Sequence, residues 1–412
     1  MTALKTLTRR VSPEHVFMGS VLLVNGGNYL YNLILGRLLG PAAFADAALL
    51  VTLLLVLSFV GMTFQLATAK FAVLFSEDQW EGFQCRMYKA ALVLGLIAGS
   101  LLIFFATELQ QIFNTQSNWM FTAFGVGIPL YFFMSVNRGR FQGQQQYGKL
   151  SLTYQMEMWS RLAITMLLLW ILPFEPGILI ALGIAFSFVF GLVPVERKAI
   201  PLRSRIRLSA DNKKRVRNFI VLTAAYELTQ ILINNSDVLL VKHYFEPLEA
   251  GLYASLALIG RVVYFAAWMF VMLLLPKVVA REKAGEPTAP VLFKYVSYIG
   301  LITVLIVSGC YLFPELVIEL LFGKAYLSMA PLLWQYALAT SLFAIANIFA
   351  YYFLSLDQYV PVILSGLIGL SQILLVIFFH SSLQMVVQVQ IVAMLALLVT
   401  QLIYFTQDQI RP

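Results

Sequence analysis

Apolar residues in this chain fall into runs of about 20, separated by short polar stretches, from near residue 15 to residue 405. A helix rises about 1.5 Å per residue, so a run of that length crosses the roughly 30 Å hydrocarbon core of a bilayer. The pattern predicts membrane-spanning helices at roughly 15–37, 43–75, 87–106, 118–137, 150–172, 177–195, 218–241, 248–280, 292–320, 329–354, 359–379 and 384–405. The second and eighth are too long to cross upright and must tilt or extend beyond the bilayer.

Several spans carry a polar stripe on an otherwise apolar helix. At about 100° per residue, Asn25, Asn28, Asn32 and Gly36 share a face of the first span. In the fifth, Glu157 and Arg161 stand one turn apart, with Thr153, Tyr154 and Ser160 alongside. Glu227, Gln230, Asn234 and Asp237 line the seventh, Arg261, Tyr264 and Trp268 the eighth, and Tyr336, Thr340, Asn347 and Tyr351 the tenth. A charge near the bilayer centre costs roughly 2.5–3.5 kcal/mol on insertion scales, so such residues tend to face the protein interior or water. The stripes predict a hydrated central cleft. Plainer readings stand beside that one. Glu157 and Arg161 could neutralise each other within one helix, asparagines could bond helix to helix, and Asp237 lies near the end of its span. Lys70, Lys277, Arg138 and Arg140 sit near span ends, where snorkelling to the surface is the cheaper expectation.

The first and seventh spans also resemble each other. The stretch from Asn28 to Ala48 maps onto Asn234 to Ala254 at an offset of 206, pairing Asn28 with Asn234 and Pro41 with Pro247. Six spans per half give both halves the same orientation, so the expected organisation is a six-helix lobe at 1–196, a basic linker at 197–217 and a second six-helix lobe at 218–412. Parallel repeats of this kind occur in alternating-access transporters.

Composition agrees with the span pattern: 60% of residues are hydrophobic and only 12% charged, against roughly 25% charged in soluble domains. The net charge of +8 could suggest nucleic acid, but its distribution argues otherwise. With the N-terminus inside, 22 of the 28 lysines and arginines fall in inner segments, nine of them between Arg197 and Arg217. The outer loops hold only Arg37, Lys242 and Lys324. The basic excess is therefore a topology signal placing both termini in the cytoplasm. The basic N-terminus (Lys5, Arg9, Arg10) runs straight into a long span without the short apolar core of a cleaved signal. Cys85 and Cys310 stand far apart and form no metal-binding spacing. No nucleotide-binding, zinc-protease or nucleophile-elbow motif appears in a suitable context, so no catalytic or metal-binding residue is expected.

Three stretches resemble the polysaccharide-transporter branch of the multidrug/oligosaccharidyl-lipid/polysaccharide (MOP) flippase superfamily. They are Leu35-Gly36-Arg37-Leu38-Leu39-Gly40-Pro41; Asn235-Ser236-Asp237-Val238-Leu239-Leu240 running to Pro247-Leu248-Glu249-Ala250-Gly251-Leu252-Tyr253; and Leu321-Phe322-Gly323-Lys324-Ala325-Tyr326 followed by Ala330-Pro331-Leu332-Leu333. The resemblance implies an all-α polytopic membrane protein, a V-shaped transporter whose two lobes enclose a cavity. It implies a flippase that moves a polyprenyl-pyrophosphate-linked oligosaccharide from the inner to the outer leaflet of a bacterial-type cytoplasmic membrane, with polysaccharide polymerases or glycosyltransferases as partners. Cavities in this branch are often basic. Here Arg161 and Arg261 face Glu157, Glu227 and Asp237, a departure from that pattern.

On this reading Arg161 and Arg261 would take the pyrophosphate, because a guanidinium fork bonds two oxygens at once. Asn28, Asn234, Tyr264 and Glu157 would meet the rest of the head group. Glu157, Glu227 or Asp237 would carry a coupling proton or Na+, with no other cofactor. Two rivals remain: a cation-coupled multidrug exporter of the same superfamily, and a membrane-embedded glycan polymerase or ligase. The latter would be expected to expose a sizeable outer loop with catalytic residues, whereas the loop Thr107 to Ser117 holds no Lys, Arg or His.

Overall fold

A computed structural model of the chain describes residues 13–194, 204, 206, 208–356 and 358–410. Lys5, Arg9, Arg10, Arg411, the linker positions 197–203, 205 and 207, and the Trp268 side chain lie outside the described residues.

Among the described residues every regular element is helical. In chain order they are α1 (Pro13–Leu74), α2 (Glu77–Phe104), α3 (Ala106–Ile112), α4 (Trp119–Gly143), α5 (Tyr147–Ile171), α6 (Pro176–Phe190), α7 (Ala210–Tyr244), α8 (Pro247–Lys283), α9 (Ala289–Leu312), α10 (Pro314–Leu321), a 3₁₀ segment (Lys324–Met329), α11 (Ala330–Ser355), α12 (Tyr359–Phe378) and α13 (Leu383–Ile410). Eight of these, with α1 counted once, are long and apolar enough to cross a membrane. The chain is an all-helical, multi-pass membrane protein.

The helix ends follow from local chemistry. α1 contains the first two predicted spans and breaks at Gly40, whose φ of 72° and ψ of 171° lie outside the helical region. Glycine reaches that φ without a Cβ clash, and the following Pro41 restarts a helix where a missing N–H costs nothing. α2 begins about ten residues before the predicted span, with Glu77 and Asp78 in its first turn, where acidic side chains complement the helix dipole. The predicted ninth span, 292–320, divides into α9 and α10 at Phe313 and Pro314, since the residue before a proline is pushed away from helical geometry. Large apolar side chains such as Leu94, Ile97, Leu101, Trp170, Leu301 and Leu305 stay exposed on the outer faces, as lipid-facing positions require.

The chain sorts into two compact units. One comprises the residues up to Ile34 together with Leu49–Leu228; the other comprises Leu35–Ala48 together with Thr229–Pro412.

In the first unit α2 packs on α4 through small residues. A Cβ on Gly95 would meet the Pro129 backbone at 2.6 Å, and one on Gly99 would strike the Gly125 carbonyl. Close backbone approach of this kind is how membrane helices gain packing without a hydrophobic drive between them.

In the second unit α11 is the most enclosed helix, packed by α8, α9 and α13. The hairpin around Gly40 is built into this unit. Its Pro41 carbonyl lies so near Gly251 that no side chain fits there, and Tyr326 donates to the Gly36 carbonyl at 2.7 Å. Phe44 packs against Phe322 and Tyr326. Asp46 forms an ion pair with Lys242 at 2.8 Å, the two side chains only 3% and 2% exposed. Lys242, counted from sequence as an outer-loop charge, is thus a buried side chain at the end of α7.

Candidate functional site

Among the described residues, each unit holds a buried cluster of charged and polar side chains beside a short turn. In the first unit residues 144–146 fold α5 back on α4. Gln145 takes a φ of 56° in that turn. Positions nearly equidistant from the turn then meet: Arg138 of α4 donates from Nε to Thr153 Oγ1 at 3.1 Å and from Nη2 to the Thr153 carbonyl at 3.0 Å. One helical turn further along, the same Nη2 reaches Glu157 Oε2 at 2.6 Å. Arg161, four residues beyond Glu157 on the same helix face, bonds the other carboxylate oxygen, Oε1. Two guanidinium groups therefore share one carboxylate, and the cluster carries a net positive charge. All three residues are buried.

The surroundings hold this arrangement. The Arg138 guanidinium lies over the Tyr154 ring at 3.9 Å, a cation–π contact. Arg161 donates to Asn28 Oδ1 at 3.3 Å, and Asn32 fixes the Asn28 backbone carbonyl at 2.9 Å. Among the described residues the buried Nε–H of Arg161 has no acceptor. A buried donor without a partner costs roughly 1–3 kcal/mol, so this one is available to an incoming anion at no loss of an existing bond. The structure thus brings Glu157, Arg161 and Asn28 together, as the stripes of the first and fifth spans suggested.

It also corrects one expectation. Arg138 and Arg140, read from sequence as snorkelling, are buried, 4% and 2% exposed. Arg138 has a carboxylate, a hydroxyl, a carbonyl and an aromatic face as partners, and Arg140 donates to Asn137 Oδ1 at 3.0 Å. Reflection across the α4–α5 turn is the signal that could have found Arg138, since residues 138 and 153 lie at nearly equal distances from its centre.

The second unit repeats the device. A turn at 245–246 returns α8 along α7, so Asp237 meets Tyr253, whose hydroxyl donates to Asp237 Oδ2 at 3.0 Å. Tyr336 of α11 donates to the same oxygen at 2.7 Å. Arg261 Nη2 stands 3.8 Å from Asp237 Oδ1 and donates to the Asn234 carbonyl at 3.0 Å. Gln390 of α13 donates to the Tyr253 hydroxyl at 2.6 Å. Asp237, expected near the solvated end of its span, is buried at 4% exposure and supplies the ionic partner that Arg261 lacks on its own helix.

A small cavity, about 30 Å³, opens onto this cluster. Its polar wall includes Asn234, Asp237 and Arg261, and its apolar wall includes Phe343 and Met394. Tyr264 also lines it, with its ring stacked on Phe343 at 5.6 Å.

Glu227 makes no bond to either cluster among the described residues. It is half-buried on α7, and among the described residues it has no ionic partner. No group of three or more His, Cys, Asp or Glu that could hold a metal ion occurs among the described residues.

Comparison with known proteins places this architecture. The chain has the fold of a structure described as "Lipid II flippase MurJ, inward closed conformation", with a TM-score of 0.78 over 95% of this chain and 87% of that one, at 12% identity. A MOP superfamily transporter from Pyrococcus furiosus superposes with a TM-score of 0.60 at 12% identity, covering 96% of this chain and 93% of its own. A MATE transporter in complex with MaD3S also gives 0.60, at 14% identity, covering 97% and 94%. No curated protein matches the chain by sequence. The model of the family described as "Polysaccharide biosynthesis protein" matches residues 34–331. That match spans most of the chain, including the Gly40 hairpin, the first cluster and most of the second, so the chain belongs to the polysaccharide biosynthesis protein family and has the fold of the MOP-superfamily transporters.

Proposed function

We propose that this protein is a flippase for lipid-linked glycans, moving a polyprenyl-pyrophosphate-linked oligosaccharide from the inner to the outer leaflet for surface polysaccharide biosynthesis. The observation that carries the reading is the sharing of Glu157 by Arg138 and Arg161, with the Arg161 Nε–H left unbonded. A pyrophosphate needs charge-assisted donors in a site shielded from water, and guanidinium forks supply them in the matching planar geometry. Glu157 keeps two buried cations tolerable while no substrate is bound. An arriving pyrophosphate takes over part of that role. Asn28, bonded to Arg161, would meet sugar hydroxyls, and the lipid tail would stay in the bilayer. In the second unit Arg261, Asn234 and Tyr264 line a cavity whose donors suit the same head-group chemistry. The name of the MurJ structure, a lipid II flippase, supports the same class of cargo, although the sugar and lipid here are this protein's own.

Of the three acidic candidates for ion coupling, Glu157 is held by two arginines and Asp237 by Arg261 and two tyrosines. Glu227 has no counter-charge among the described residues, so we assign the coupling proton to it. On the distribution of loop lysines and arginines we propose that both termini lie in the cytoplasm and the protein in the cytoplasmic membrane.

One observation favours the rival exporter: a carboxylate and three aromatic rings line the cavity of the second unit, as an amphipathic cation would want. The two readings separate in cells carrying Arg138→Ala or Arg161→Ala. A flippase loses surface glycan with drug tolerance unchanged; intact glycan export together with lost drug tolerance establishes the exporter.

A further inference from the structure

A second cavity, with about 800 Å³ of open space, lies in the first unit at the ends of α1 and α4 and the start of α7. Lys70, Gln142, Gln145, Tyr147 and Phe219 line it. The Lys70 ammonium sits 3.9 Å from the centre of the Phe219 ring. The wall therefore offers one cation, two amides and two aromatic rings. Amides bond sugar hydroxyls, aromatic faces cover the C–H face of a sugar ring, and an ammonium attracts phosphate.

This cavity connects to the arginine pair through side chains alone. Gln142, in its wall, accepts from Gln65 Nε2 at 2.8 Å. Gln65 also donates to the Tyr154 hydroxyl at 3.0 Å. The Tyr154 ring carries the Arg138 guanidinium. A chain of three polar side chains thus leads from the cavity wall to the buried cations. Phe219 belongs to the first turns of α7, where Lys213, Lys214, Arg215 and Arg217 are exposed or nearly so. Clustered cations raise the local concentration of an anionic ligand and its rate of arrival.

We infer that this cavity is an uptake subsite for the glycosyl-pyrophosphate head group, which docks at Lys70, Phe219 and Tyr147 before passing to Arg138 and Arg161. The inference rests on the flippase reading and adds to it a place where the cargo is captured ahead of the buried site. The competing account of Lys70 is a cation that merely reaches the membrane surface, and that account assigns no ligand to the cavity.

The test uses the full chain in lipid nanodiscs and liposomes, with a short-chain polyprenyl-pyrophosphoryl N-acetylglucosamine as probe. Val73 lines the cavity and is 69% exposed, whereas the native Cys85 and Cys310 are buried. Val73→Cys labelled with a benzophenone maleimide therefore reports occupancy by photo-crosslinking. The expected result is a probe adduct at that position which inorganic pyrophosphate alone only partly displaces. Lys70→Gln and Phe219→Leu should each weaken probe binding about tenfold. Arg161→Lys should block translocation while the adduct persists. Adduct formation and probe binding unchanged in both Lys70→Gln and Phe219→Leu would overturn the inference, as would absence of any adduct in a protein that still translocates the probe. If wild-type protein in liposomes moves no probe at all, the flippase reading itself fails, a result distinct from either of these.

Discussion

Replacement of Lys242 by methionine should destabilise the second unit by about 3–5 kcal/mol, the range for removing one partner of a buried ion pair. The Lys242 ammonium lies 2.8 Å from Asp46 Oδ1, and both side chains are almost wholly shielded from solvent. At an effective dielectric of about 20 the attraction at that distance is on the order of 6 kcal/mol, much of it offset by desolvation of the two charges. Methionine matches the lysine stem in length, so the change removes the charge with little cavity. What remains is a buried carboxylate without its counter-ion. Asp46→Asn should cost a similar amount, because it takes the 2.8 Å carboxylate from a buried ammonium. The double variant should be far less damaged than the sum of the two, by roughly 2–4 kcal/mol of coupling, since neither charge is then left alone. Unfolding of purified protein in mixed micelles by increasing SDS, followed by tryptophan fluorescence, gives the four stabilities the cycle needs. Additive losses, or a Lys242→Met variant within about 1 kcal/mol of wild type, would refute the argument that this pair fastens the Gly40 hairpin.

Other outcomes can be checked alongside it. Arg138→Ala should abolish glycan translocation in liposomes and also lower the melting temperature, since Glu157 loses its 2.6 Å partner. Arg161→Lys retains charge but loses the fork, and should reduce translocation at least tenfold with nearly normal melting. Tyr336→Phe removes one of the two hydroxyls on Asp237 Oδ2 and should cost about 1.5–3 kcal/mol in SDS unfolding, the range for a hydrogen bond to a charged group. Gly251→Ala sets a methyl against the Pro41 carbonyl; backbone cannot rotate aside, so the expected loss is about 1–3 kcal/mol. Glu227→Gln should leave translocation driven by a pH gradient no faster than translocation without one; a gradient response of wild-type size would remove Glu227 from proton coupling.

The helices were legible because a membrane span announces itself by length and hydropathy alone, and the predicted spans correspond to helices from α1 to α13. Local clusters were legible for a similar reason: Glu157 and Arg161 lie one turn apart, within the reach of helical periodicity. Partners brought together by tertiary packing were not. Arg138 reaches Glu157 only because a tight turn lays α4 beside α5, and its place near a span end suggested snorkelling instead. Asp46 and Lys242 are nearly two hundred positions apart, and nothing in either neighbourhood marks it as half of a pair. The repeat at an offset of 206 set Asn28 against Asn234, yet said nothing of the different roles they take. Asn28 receives a bond from Arg161 through its side chain, whereas Asn234 receives one from Arg261 through its backbone.

The Gly40 hairpin has a consequence for what counts as half of this molecule. Residues 35–48 are encoded with the N-terminal helices, but the side chains that enclose them, Phe322, Tyr326 and Lys242 among them, are encoded beyond the basic linker. A gene divided in the linker would produce a C-terminal fragment with an empty socket and a stranded lysine, and an N-terminal fragment with an unhoused loop. Neither piece would be complete by itself. Expressed together, the fragments should reassemble by the exchange of this one hairpin, much as an arm-swapped dimer does. The linker would then be needed for stoichiometry rather than for cohesion.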